Sequence, residues 1–212
     1  MILFIFPFLS VFSQLVVVGA VIYSRKQLFG ELRVLAAYFV VCLIVVTVQL
    51  FLAIYAINNL WASQVFSPIQ FVMLMYVFYF WNRQSKAGKI MLYSIPAFVA
   101  GWCLGTIWLG GMAGIYTYMD PISAAIFVLT SSYTLLTIER VEGSSVLALP
   151  PFWISSATVI YFGSTIVLSS LNASLLKTSV STMQLAWSMQ AVINILANLL
   201  YAGGFLCLRQ KT

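Results

Sequence analysis

Histidine is missing from this chain, and acidic side chains nearly are: four carboxylates, Glu31, Asp120, Glu139 and Glu142, serve 212 residues. A Ser/His/Asp triad and a histidine-based metal centre therefore have no histidine to use. A paired-carboxylate acid/base site has no two acids at membrane depth, because all but Asp120 are read as lying in cytoplasmic loops. No apolar run holds a lysine, which rules out a Schiff-base site of the retinal kind, and a proton relay of intramembrane carboxylates lacks its residues. Cysteine is scarce as well. Cys42, Cys103 and Cys207 fall in separate apolar runs at no metal or disulfide spacing, and read as packing residues. The expectation is a protein that is not an enzyme, with no catalytic residue, no metal and no cofactor.

What the chain does have is hydrophobicity: 63% of residues are apolar, 7% are charged and the mean hydropathy is +1.05. Soluble domains do not reach such values. Apolar runs recur from end to end, each near the roughly 20 residues a helix needs to cross about 30 Å of hydrocarbon. The predicted spans are 2–23, 34–57, 65–81, 90–109, 121–138, 149–170 and 183–208. They are continuously apolar, without the alternation of barrel strands. The predicted fold is thus all-α, a polytopic membrane protein whose single domain of seven transmembrane helices fills residues 1–212.

Charge orients it. Nine of the ten basic residues fall on one side: Arg25, Lys26 and Arg33, then Arg83, Lys86 and Lys89, then Arg140, then Arg209 and Lys211, leaving Lys177 alone across the membrane. The positive-inside rule puts the N-terminus outside and the C-terminus in the cytoplasm. The net charge of +6 then needs no nucleic-acid partner, being the basic collar of a chain whose partner is the lipid bilayer. The first run has no basic segment ahead of it and is followed by "SRK", so it reads as a spanning helix rather than a secretory signal. A bacterial inner membrane is the expected location.

In "YTYMDPIS", Asp120 precedes Pro121, the order that a helix N-terminus favours, so Asp120 is read first as a cap of the fifth helix. Its second reading is an outer vestibule formed with Trp108, Tyr116 and Tyr118. Deeper in the runs the polar residues are uncharged. Trp187, Gln190, Asn194, Asn198 and Tyr201 recur three or four apart on the seventh helix, and so share one face, read as looking inward. Thr134 on the fifth helix, Tyr161 on the sixth, Gln70 on the third and Gln14 on the first add to them. Two readings stay open: hydrogen-bonded glue between helices, or a polar site for a neutral or amphipathic ligand lined by Gln70, Thr134, Tyr161, Gln190, Asn194 and Asn198.

Pro96 is predicted to kink the fourth helix, Pro150 and Pro151 to open the sixth, and the glycines of "AGG" at 202–204 to break the seventh near its end. Gly101 and Gly105, four apart, offer a face to a membrane partner or to a second copy. Proline-bearing starts at "FPFLS" and "DPISA" suggest a three-plus-one-plus-three plan like that of small repeat-built sugar carriers. The segments "NNLWASQVFSPIQF", "PPFWISSATVIYFGS" and "WSMQAVINILANLLYA" resemble an uncharacterised family of small seven-helix inner-membrane proteins of Bacteroidota. The resemblance implies the topology and no activity. It also implies an acid where this chain has Gln70. Three function classes follow: binding or transport of a small neutral or amphipathic molecule, a receptor or accessory subunit working through a membrane partner, and, last, a lipid-modifying enzyme.

Overall fold

The computed structural model describes residues 5–55, 57–108, 112–138, 145–175 and 180–208, and among them every regular element is helical. The order is α1 Ile5–Tyr23, α2 Gly30–Ile54, α3 Leu60–Asn82, α4 Lys86–Trp108, α5 Met112–Thr137, α6 Pro150–Leu175 and α7 Val180–Leu206, with a 3₁₀ turn, Val146–Ala148, ahead of α6. Six helices hold a stretch long and apolar enough to cross a membrane: Gly30–Ile54, Trp61–Asn82, Lys86–Trp108, Met119–Thr137, Pro150–Ser169 and Gln184–Leu206; α1 holds a shorter one, Phe8–Tyr23. Helices suit such sequences because hydrocarbon offers the backbone no hydrogen-bond partner, so each segment must satisfy its own N–H and C=O groups. Large apolar side chains such as Phe12, Ile44, Ile107, Leu129 and Leu136 stand exposed along these helices, a surface that water would not tolerate. This is a membrane-embedded helical protein.

Several helix ends depart from the predicted spans; α3 and α4 begin at Leu60 and Lys86, five and four residues earlier than expected. α6 begins at Pro150, where a proline in the first turn sacrifices no helical hydrogen bond. α2 begins at Gly30, four residues earlier than predicted; Gly30 takes φ +47, a left-handed turn that brings the chain out of the α1–α2 connection. Glu31 is therefore no loop residue but sits in the first turn of α2, 7% exposed. α5 begins at Met112, so Asp120 and Pro121 lie inside the helix and the capping reading fails. The local Asp-Pro signal is overridden because the preceding residues continue the helix past it; Ser123 Oγ donates to the Asp120 carbonyl at 2.8 Å within the same stretch. α7 likewise runs unbroken through Gly203 and Gly204 to Leu206. Glu139, Arg140, Glu142, Lys177, Arg209 and Lys211 lie outside the described residues.

The chain divides into two compact units, residues 1–28 with 124–212, and residues 29–123. α1 shares a unit with α6, α7 and the later part of α5, while α2, α3, α4 and the first turns of α5 make up the other.

In the second unit α2, α3 and α4 pack in chain order. Side-chain bonds tie Gln49 to Ser63, Tyr38 to Gln70 and Glu31 to Trp81, with sequence separations of 14, 32 and 50, the widening ladder of an antiparallel pair. Between α3 and α4 the rings of Phe71 and Phe98 stack at 3.9 Å. Glu31 Oε1 accepts from the Trp81 indole at 3.2 Å, while Oε2 is buried without a partner. Removing the one donor leaves a buried carboxylate unsatisfied, so Trp81→Phe is expected to lower stability by about 1–3 kcal/mol. The double variant with Glu31→Leu, which removes the unsatisfied group altogether, should recover most of that loss. Denaturation in detergent measures both, and equal losses in the single and double variants would discard this account.

In the first unit α7 is the common neighbour of α1 and α6. Its bonds to α1 and to Ser24 just beyond it join residues 184, 185 and 181 apart, a nearly constant offset that makes α1 and α7 parallel. Those to α6 and the turn before it join residues 25, 43 and 60 apart, so α6 is antiparallel. Close approach of α6 and α7 rests on Gly203 and Gly204: a Cβ on Gly204 would lie 2.9 Å from Ile154 Cγ1. The glycines are packing residues, as small side chains at membrane helix contacts generally are.

Candidate functional site

The polar face read from α7 comes down to a set of hydrogen bonds. Gln190 Nε2 donates to Thr165 Oγ1 at 3.1 Å, Asn194 Nδ2 to Ser10 Oγ at 2.6 Å and Asn198 Nδ2 to Ser13 Oγ at 2.7 Å. The Tyr201 and Thr158 hydroxyls share a bond of 2.9 Å. Residues three or four apart on a helix fall on one side, and here that side is divided between two neighbours: Asn194 and Asn198 address α1, Gln190 and Tyr201 address α6. Trp187 does not share their burial, being half exposed. It sits one turn before Gln190, toward the start of α7, where an amphipathic ring suits the membrane interface.

Tyr161 is partly buried on α6, edge-on to Phe162 at 4.9 Å, and its carbonyl accepts from Ser164 and Thr165. Thr134 is 3% exposed on α5 and donates to the Thr130 carbonyl at 2.9 Å. Tyr161, Gln190, Asn194 and Asn198 thus belong with Thr134 to the first unit. Gln70 belongs to the second, where its Nε2 donates to the Tyr38 hydroxyl at 2.8 Å. Of the vestibule residues, Trp108 ends α4 and is largely exposed, and Asp120 is partly buried within α5. The side chains of Tyr116 and Tyr118 lie outside the described residues. Gly101 has the Met119 Cε of its own unit 3.9 Å from where a Cβ would stand, so part of its open face is covered from within the chain.

Four residues escaped the sequence reading. Ser10 and Ser13, the partners of the two asparagines, sit three apart on α1, a spacing that was available as a signal; Tyr38, the partner of Gln70, carried none. The fourth is Ser155, fully buried on α6. Its Oγ, the Oε1 of Gln14 on α1 and the Oε1 of Gln27 just after α1 are buried without a hydrogen-bond partner, all three in the first unit. The two described acids, Glu31 and Asp120, both lie in the second unit. The buried polar groups described in the first unit are therefore hydroxyls and amides: Ser10, Ser13, Ser24, Ser131, Thr134, Ser155, Thr158, Ser188 and Asn198. Such a set can donate and accept hydrogen bonds to an uncharged group, and offers no counter-charge to an ion. No protein-family model, curated protein or solved structure matches the chain.

Proposed function

We propose that this protein binds or carries a small neutral or amphipathic molecule through the polar side chains of its first unit. One observation carries the reading: three hydrogen-bonding atoms, Ser155 Oγ, Gln14 Oε1 and Gln27 Oε1, are buried there with no partner, and the buried polar side chains described in that unit are all uncharged. A buried polar atom left unpaired costs about 1–3 kcal/mol, and a ligand hydroxyl or amide would remove that cost. Its setting is a seven-helix protein with the N-terminus outside and the C-terminus in the cytoplasm of a bacterial inner membrane. The parallel course of α1 and α7, with five helices between them, supports seven crossings. The bonded state of Gln190, Asn194 and Asn198 supports a double role, in which the same amides hold the helices together and frame the site.

The test is a thermal-shift screen of the detergent-purified protein against neutral sugars, nucleosides, amides and lipids. A ligand at 100 times its Kd stabilises the folded state by about 2.7 kcal/mol. Ser155→Ala should leave the unliganded melting temperature unchanged or slightly raised, because it removes an orphan hydroxyl, yet abolish the ligand shift. A screen without a hit, or a hit that survives in Ser155→Ala combined with Gln14→Leu, would reject the reading. Asn194→Leu should lower the unliganded stability as well, since it cuts the bond to Ser10.

A further inference from the structure

At one end of the second unit, a turn of fixed shape presents three cations. α3 ends at Asn82 and α4 begins at Lys86, and the residues between them are held on both sides. Ser85 Oγ donates to the Asn82 carbonyl at 2.8 Å and accepts from Gly88 N at 3.0 Å, while Asn82 Nδ2 donates to the Phe78 carbonyl at 2.9 Å. Gly88 lies against the turn so closely that no other residue fits. Arg83, Lys86 and Lys89 are all exposed, and Arg83 is placed by its guanidinium lying 4.8 Å over the Phe80 ring. Arg33 stands exposed on the first turn of α2, where a Cβ on Gly30 would lie 3.9 Å from Phe80 Cζ, so it belongs to the same end. The acid next to it, Glu31, is buried against Trp81 and turns no charge outward.

The character of the α4 face decides what these cations meet. Lys86, Lys89, Ile90 and Tyr93 are three, four and seven residues along one helix, and all are exposed. The face changes from ammonium groups to an isoleucine and a tyrosine within two turns, the polarity gradient from lipid headgroups to acyl chains. An acidic protein or a nucleic acid would have no use for the apolar half of that stripe. A phospholipid uses both halves.

We infer that Arg83, Lys86 and Lys89 form a site for the phosphate of an anionic phospholipid, its chains lying along Ile90 and Tyr93 of α4. Because the turn is held rigid, the three charges are already gathered when the lipid arrives. The site is independent of the neutral ligand proposed for the first unit.

The experiment compares two variants that remove basic side chains from exposed positions: Arg83→Gln/Lys86→Gln/Lys89→Gln, and, as control, Arg25→Gln/Lys26→Gln in the α1–α2 connection of the first unit. Each is reconstituted in nanodiscs of phosphatidylcholine with a small fraction of phosphatidylglycerol or cardiolipin, and bound lipid is counted by native mass spectrometry. One cation at a membrane surface changes affinity roughly five-fold, so the triple variant should lose anionic lipid by on the order of 100-fold while the control keeps it. Inorganic phosphate at millimolar levels should not displace the lipid from the wild type, because it lacks the chains. Equal retention by the triple variant and the wild type would overturn the site, as would equal losses from both variants, which would reduce it to a diffuse collar. Displacement by phosphate would overturn the part assigned to Ile90 and Tyr93. If the triple variant fails to fold, Lys86→Gln/Lys89→Gln decides by the same comparison.

Discussion

Replacing Gly88 by alanine is expected to melt the α3–α4 hairpin. An alanine Cβ at this position would stand 2.1 Å from the Asn82 carbonyl oxygen, 2.7 Å from its carbon and 3.1 Å from Arg83 Cα. All three are backbone atoms, which cannot swing aside as a side chain would. The carbonyl is held from two directions, by Ser85 N at 2.9 Å and Ser85 Oγ at 2.8 Å, so relieving the clash breaks the turn that starts α4. Overpacking costs about 1–3 kcal/mol when flexible neighbours absorb it, and more when they do not. The expected loss is about 3 kcal/mol or more, together with new tryptic cleavage after Arg83 and Lys86. Gly204→Ala is the milder comparison, because its nearest contact is the Ile154 side chain. A Gly88→Ala protein with the wild-type melting temperature and protease resistance would refute the geometry assigned to this turn.

The second large effect concerns Asn198, where the direction of each hydrogen bond fixes the outcome. Ser13 Oγ donates its single proton to the Ser10 carbonyl at 2.6 Å, so toward Asn198 it can only accept. Asn198→Leu loses one bond and orphans nothing, since Ser13 remains bonded within its own helix; the expected cost is about 0.6–1.7 kcal/mol. Asn198→Asp keeps the shape but replaces the donor by a carboxylate, setting two acceptors face to face at a position 3% exposed. A charge placed within a membrane helix adds about 3 kcal/mol. Stability should therefore fall in the order asparagine, leucine, aspartate, although aspartate is the closest in size. Unfolding in detergent gives the order directly, and an aspartate variant as stable as the leucine one would contradict the assigned donors.

How far the polar face of α7 could be read from its spacing shows the reach of the sequence. Gln190, Asn194, Asn198 and Tyr201 fall at helical intervals, so their sharing one face followed from 3.6 residues per turn. Which neighbour each addresses did not follow, because that depends on where α1 and α6 stand around α7, and no local pattern encodes it. Asp120 failed for a different reason. The Asp-Pro order is a preference of about 1 kcal/mol at a helix start, too weak to outweigh a helix that continues through it in an apolar medium. Glu31 failed because hydropathy marks where a segment becomes apolar, whereas a helix starts where the backbone turns, here at Gly30.

From the sequence by itself came the all-helical membrane class, since only helices satisfy the backbone of apolar runs this long, and with it the start of α6 at its proline pair and the dominance of uncharged groups among the polar residues. Tertiary structure alone decided the rest: the parallel pairing of α1 with α7 through Ser10 and Ser13, the packing role of Gly203 and Gly204, and the orphaned oxygens of Ser155, Gln14 and Gln27. The reason is one of range. Hydropathy and helical period act over a few turns of one segment, while partnership and vacancy are relations between segments up to 185 residues apart.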